Sequence, residues 1–232
     1  MTENIINDES SIQVYQDVIE RFTTNPDFPY LISFPRTGSH WLRMIMELYF
    51  EKPSLVRIFY FKEMRDFTCC HRHDESLEIE RKNVLYLYRC PVDTVYSQLN
   101  YYKEDPFDTG RIAHWTGLYA RHLSKWLLEE TFTTQKTILA YERLKTDPAR
   151  EFAKVCAHFA APFNRDRLET ALKMVTKEEV KKRTVHDPQV INLARQYTMD
   201  REIFTRRFSS TIMASVYAVN PLLKSFFKEE II

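Results

Sequence analysis

Along this chain, short apolar runs alternate with longer stretches in which apolar residues recur every three or four positions, a pattern that predicts strands feeding into helices. Strands are predicted at residues 30–34 (YLISF), 84–88 (VLYLY) and 137–140. Helices are predicted at 11–22, 39–51, 91 to about 102, 112–129 and 148–160, with the remainder mainly helical. In the fourth of these helices Ile112, Trp115, Tyr119, Leu123, Trp126 and Leu127 mark a core-facing stripe rather than a binding box. D-P-F-D-T-G at 105–110 reads as a loop. Residues 52–83 are mixed, aromatic at 58–61 and heavily charged from Arg72 to Lys82. Strands alternating with helices imply an α/β fold with a central parallel sheet flanked by helices. A length of 232 residues suits a single domain, 1–232, with a core at about 29–162 and a mainly helical extension at 163–232.

Composition narrows the function. With 33 basic against 32 acidic residues, bulk nucleic-acid binding has no electrostatic support, so any anion affinity must come from local placement. Cys69, Cys70, Cys90 and Cys156 lack C-x-x-C spacing, and two of them are adjacent, which favours reduced thiols in a cytoplasmic setting. The first ten residues are polar and acidic, unlike a signal peptide. No apolar run approaches the roughly 18 residues of a membrane span, so no integral membrane segment is expected.

Chemistry concentrates at two strand-to-helix junctions. The first reads F-P-R-T-G-S-H-W, residues 34–41, and Gly38 is one of only three glycines in the chain. A glycine turn opening a helix aims backbone N–H groups and the helix N-terminus at one point, a ready anion site. Arg36, Thr37 and Ser39 add a guanidinium and two hydroxyls. The same letters also suit an ordinary turn with Ser39 as N-cap. The second junction reads R-C-P-V-D-T-V-Y-S, residues 89–97, with Arg89 at a strand's carboxyl end and Ser97 about two turns into the next helix. Two such clamps in one small chain suggest a ligand with separated anionic groups, bound where ligands of open α/β sheets bind.

This pair resembles the two nucleotide signatures of the sulfotransferases that use 3′-phosphoadenosine 5′-phosphosulfate (PAPS), P-K-S-G-T-T-W and R-N-P-x-D-x-x-x-S. Residues 138–159 are similar to that family's Y-E-D-L-x-x-D-P strand and helix, and H-L-S-K-W at 122–126 is a weaker echo of its H-x-x-x-W. The resemblance spans about residues 29–162. It implies a three-layer sandwich like that of the P-loop NTPases and sulfuryl transfer from PAPS to an acceptor hydroxyl, with adenosine 3′,5′-bisphosphate (PAP) as product and no metal. Arg36, the loop amides, Thr37, Gly38, Ser39 and His40 would hold the 5′-phosphosulfate, with Arg36 also acting in catalysis by offsetting charge on the leaving phosphate oxygen, and Arg89 and Ser97 would hold the 3′-phosphate. Trp41 and Tyr141 would line the nucleotide pocket, although either is equally suited to the core. The resemblance also implies a histidine base in C-C-H-R-H-D, residues 69–74. His73 aligns with the family's catalytic position, His71 is the runner-up, and Asp74 is placed to orient either ring. The alternative is that this charged stretch is a solvated loop.

The departures are specific. Arg36 replaces a lysine, His40 a hydroxyl residue, and Arg143 an acidic residue. No copy of the late R-K-G-x-x-G-x-W motif is found; R-T-V-H-D at 183–187, with Arg183 reaching a phosphate, is the candidate substitute. Arg-x-Gly-Ser loops resemble those of carbohydrate sulfotransferases, which favours a glycan or glycolipid acceptor over a phenol or steroid, whereas Trp41 resembles the cytosolic branch. Aromatic candidates for the acceptor cleft are Phe59, Tyr60, Phe61, Phe67, Tyr101, Tyr102 and Phe107. Homodimer formation is left open. Two rivals remain: a P-loop kinase, which should show G-x-x-x-x-G-K-[ST] and a strand-end Asp for magnesium, and a phosphonucleotide-binding protein without catalysis.

Overall fold

A computed structural model describes residues 12–61, 65–184 and 195–227. Its central sheet contains β2 (Tyr30–Ser33), β4 (Cys70–Arg72), β5 (Asn83–Tyr88) and β6 (Gln135–Ala140) in the order β4-β2-β5-β6, every pair parallel. A separate two-stranded antiparallel pair joins β1 (Ile12–Gln13) to β3 (Arg57–Ile58). The helices are α1 (Gln16–Thr23), α2 (Ser39–Phe50), α3 (Pro91–Tyr101), α4 (Thr109–Leu123), α5 (Tyr141–Thr146), α6 (Pro148–His158), α7 (Arg165–Met174), α8 (Lys177–Arg183) and α9 (Arg195–Val219). The expected α/β class with a parallel sheet and a helical C-terminal part is what the structure shows.

Alternate strand residues feed two cores. Tyr30, Ile32, Val84, Tyr86 and Tyr88 pack with residues of α3, α4 and α9, while Leu31, Leu85, Leu87 and Leu139 pack with α2, α6 and α7. Both faces of the sheet are therefore covered, as parallel strands require. All six positions of the predicted stripe on 112–127 are buried.

Several boundaries differ from expectation, each for a local reason. The predicted helix at 11–22 begins only at Gln16, because Ile12 and Gln13 pair with β3. The predicted loop at 105–110 ends early: Asp108 caps α4 by accepting from the N–H groups of Gly110 and Arg111. The helix predicted to run to 129 changes at Ser124 to a π-helical segment, Ser124–Leu128. Residues 70–72, read within a mixed and charged stretch, form an edge strand in register with Tyr30–Ile32.

The strand order places a topological switch between β2 and β5. The chain leaves β2 toward β4 on one side and leaves β5 toward β6 on the other, which opens a crevice at their carboxyl ends. Both sequence signatures start there.

Candidate active site

The loop after β2 contains two left-handed residues, Arg36 (φ 72°) and Gly38 (φ 94°). Gly38 is required twice over: its φ suits glycine, and a Cβ would lie 2.5 Å from the Tyr141 ring. Gly38, not Ser39, is the N-cap of α2, and no side chain among the described residues caps that helix, which leaves its first-turn N–H groups without a side-chain acceptor. Thr37 turns inward: it is fully buried and its hydroxyl donates to the Phe34 carbonyl at 2.8 Å.

The two signatures meet. Arg36 Nε donates to Ser97 Oγ at 3.2 Å, and Arg89 Nη1 donates to the Arg36 carbonyl at 3.2 Å. The Arg89 guanidinium lies 4.8 Å from the Tyr141 ring centroid, and that of Arg36 lies 5.2 Å from Tyr101. Arg89 Nη2 has a long contact of 3.4 Å to Asp93, and its Nε is buried with no hydrogen-bond partner among the described residues. A guanidinium so loosely engaged is ready for an anion. Trp41 stands edge-on to Tyr141 at 5.9 Å and donates from its indole nitrogen to the Val175 carbonyl at 3.2 Å.

On the β4 side, the register that pairs Ile32 with Arg72 brings His73 level with Ser33. His73 Nδ1 lies 2.7 Å from the Ser33 carbonyl. A carbonyl only accepts, so Nδ1 carries the hydrogen and Nε2 of the neutral ring keeps its lone pair. His71 is buried, with Nε2 3.1 Å from Ser33 Oγ, and the two imidazoles meet edge to face at 4.8 Å. Burial lowers the pKa of His73 and holds that of His71 well below the ordinary histidine value. His40, half-buried beside Phe59, is likewise held well below it, first by burial and then by the guanidiniums of Arg43, Arg57 and Arg36. Asp74 orients neither ring; its carboxylate is paired with Arg81 at 2.8 and 3.1 Å. The segment is no solvated loop, since Cys69, Cys70, His71 and Asp74 are all buried.

Other candidates lie apart from this convergence. Arg183 is engaged with Glu179 and the Phe59 carbonyl, and lies over Tyr60 at 4.1 Å. Residues 185–187 of the R-T-V-H-D segment lie outside the described residues. Phe59, Tyr60 and Phe67 are core. Phe61 packs against the core, Phe107 against Phe208, and Tyr102 stacks on Trp115, which leaves Tyr101 as the aromatic that touches the clamp. Segment 54–60 is fixed from below: the Glu47 carboxylate accepts from the N–H groups of Ser54, Phe59 and Tyr60, and Arg43 donates to Ser54 Oγ and the Arg57 carbonyl, both at 2.7 Å.

Sequence reading missed three contributors. Arg201 of α9 pairs with Asp93 at 2.8 and 2.6 Å, bringing a further guanidinium beside Arg89. Glu142 accepts from the Cys90 N–H at 3.0 Å, joining the start of α5 to the second signature. His122 donates to the His73 carbonyl at 2.7 Å. Two of them lay in segments with a signal, Glu142 in the Y-E-R-L stretch and His122 in the H-x-x-x-W echo; Arg201 had none.

A family model described as a sulfotransferase domain matches residues 70–208, more than half of the chain. The chain belongs to the sulfotransferase family. The matched span contains the second signature and His71 and His73, and begins after the Arg36 loop. Among solved structures, mouse sulfotransferase SULT7A1 complexed with PAP aligns with a TM-score of 0.52 at 15% identity, covering 86% of this chain and 92% of that one; at this identity the likeness establishes the fold. No curated protein matches the chain in sequence. Among the described residues, no helix is long and apolar enough to cross a membrane, and no group of three or more His, Cys, Asp or Glu is arranged to hold a metal ion.

Proposed function

We propose that this sulfotransferase takes PAPS across the β2–β5 crevice and transfers its sulfuryl group to an acceptor hydroxyl by in-line displacement, with His73 as the base. The observation that carries the reading is the meeting of Arg36, Ser97 and Arg89 at the switch point, one strand away from a histidine with a fixed tautomer.

The crevice residues fit the donor. Arg36 and the first-turn N–H groups of α2 suit the 5′-phosphosulfate. Arg89 and Ser97, with Arg201 beside them, suit the 3′-phosphate, and Arg89 Nε, which has no partner among the described residues, supplies a donor for it. Tyr141 and Trp41 flank the nucleotide side. The donor contributes the activated sulfuryl group. His73 Nε2 takes the acceptor proton as the acceptor oxygen bonds to sulfur, while Arg36 offsets charge on the departing phosphate oxygen, the kind of preorganised term that is worth about 3–4 kcal/mol. Thr37 serves the loop by fixing its turn. The Arg36-Thr37-Gly38-Ser39 loop supports a glycan or other small-molecule hydroxyl as acceptor. The whole chain, 1–232, acts as one domain in this reading.

The test is calorimetric. PAP should bind at least about tenfold more tightly than adenosine 5′-monophosphate without magnesium, since a charge-assisted bond to the 3′-phosphate is worth about 1.5–3 kcal/mol. Equal affinities, or a strict metal requirement, would overturn the reading.

A further inference from the structure

We propose that His122, in the last turn of α4, is the positioning residue that sets His73 for proton transfer, and that Tyr86 in turn fixes the His122 ring. The inference deepens the reading of His73 as base and rests on it.

The hydrogen-bond chain admits one arrangement. His122 Nε2 faces the His73 carbonyl at 2.7 Å, so Nε2 must carry the hydrogen. The neutral ring then accepts at Nδ1, and Tyr86, whose hydroxyl lies 2.9 Å away, must be the donor. Both groups keep these roles near neutral pH: burial drives the His122 pKa down to about 3 and holds the Tyr86 phenol well above its ordinary value. The ring is sealed between Phe34, Tyr86 and Trp126 and cannot exchange partners with solvent.

This anchor sits where the base needs it. Asp74, the next residue, has φ 43°, in the left-handed region that non-glycine residues seldom adopt. The stretch that follows β4 is held from several directions. His122 grips the carbonyl of His73, Arg81 the carboxylate of Asp74, and Lys125, in the π-helical segment just beyond His122, donates to the carbonyls of Leu77 and Ile79. The helix widens at Ser124–Leu128, a distortion often found at functional sites, and Lys125 lies within it. β2 thus holds the His73 ring through Ser33, while α4 holds its main chain through His122. The second anchor keeps the ring in reach of the first, and together they define where Nε2 points.

The experiment follows the ring nitrogens of His73 by NMR of the full chain labelled with [15N]histidine. Wild type should show His73 as a single tautomer with the hydrogen on Nδ1. His122→Phe should lose that signature, and His122→Gln, whose amide nitrogen can still donate to the His73 carbonyl, should restore it. Unchanged His73 signals in His122→Phe would overturn the proposal. Should that variant not accumulate folded, Tyr86→Phe decides, because it deletes one oxygen. It must leave His122 Nδ1 without its donor and shift the His122 and His73 signals, and spectra identical to wild type would overturn the proposal. In turnover of PAPS with a panel of phenols and glycosides, His122→Phe should lose about tenfold or more in kcat with PAP affinity within about threefold. The base reading is judged separately by His73→Ala in the same assay. A fully active His73→Ala sinks that reading, whereas an inactive one beside a normal His122→Phe sinks only the positioning role.

Discussion

On the β5 side of the crevice stand Arg36, Arg89 and Arg201, guanidiniums held by one another's neighbours through a carbonyl, a hydroxyl and Asp93. On the β4 side stand His40, His71 and His73, imidazoles whose pKa values all lie below the ordinary value. Both sides are basic in composition, yet one is arranged to present positive charge and the other to withhold it. The difference follows from burial and partners. A guanidinium stays charged under moderate burial and finds scattered acceptors, whereas an imidazole enclosed near other cations sheds its proton. An anionic donor needs the first environment, and a proton acceptor needs the second.

The sharpest way to break this division is to remove one member from each side. His73→Ala should lower turnover on a working acceptor about a hundredfold or more, the scale of a general base, with PAP affinity within about threefold of wild type. Arg89→Ala should do the reverse. Titration calorimetry should show PAP binding weakened roughly ten- to hundredfold, as expected for losing a charge-assisted phosphate contact, with a smaller effect on turnover at saturating donor. Should His71→Ala be the inactive variant while His73→Ala stays active, the base is misassigned although the division stands. If both variants lose PAP affinity in step with turnover, the two sides are not separate.

A smaller effect sharpens the neutral side. His40 and His71 lie well below 6.5 in the folded chain, His122 at about 3 and His158 at about 4. Their unfolded forms take up protons near 6.5 while the folded forms do not, so their stability contribution is present above that pH and is lost as pH falls. Glu47 works the other way. Its folded pKa is raised to about 7 by burial, so it gains stability as pH drops from 7 toward 4.5, and Glu142 shifts in the same direction. With His73 lowered as well, five histidines outweigh two carboxylates. The urea midpoint should therefore fall between pH 7 and 5.5, with a net loss on the order of 1–3 kcal/mol at about 1.4 kcal/mol per pH unit per uncompensated group. A flat or rising midpoint would show that these histidines titrate as exposed ones do.

The arginine side was largely legible in the sequence and the histidine side much less so. Arg36, Gly38 and Arg89 announce themselves because each sits at a strand-to-helix junction, where local pattern and chemistry coincide, and Ser97 follows at a fixed spacing from Arg89. His71 and His73 were found only through resemblance. Their strand has three residues at a sheet edge, and its burial comes from pairing with Tyr30–Ile32, 40 positions earlier in register, rather than from its own polar letters. Asp74 was misjudged for a similar reason, since its partner Arg81 is no more conspicuous than the other charges around it. Arg183 was the natural guess for a late basic residue, yet the packing of α9 against α3 delivers Arg201 instead. Such a contact, 108 residues apart, has no local signature.

Apart from the Arg81–Asp74 pair, the contacts that hold the His73 segment share one property: Ser33, His73, Leu77 and Ile79 all receive their bonds at the main-chain carbonyl. Every amino acid carries that oxygen, so substitution at Ser33, Leu77 or Ile79 cannot delete the acceptor, only disturb the backbone that presents it. The heritable information needed to orient His73 is thereby confined to a few donors, His122 and Lys125 foremost. The acceptor positions are left open to mutational drift as long as the sheet and α4 keep their path.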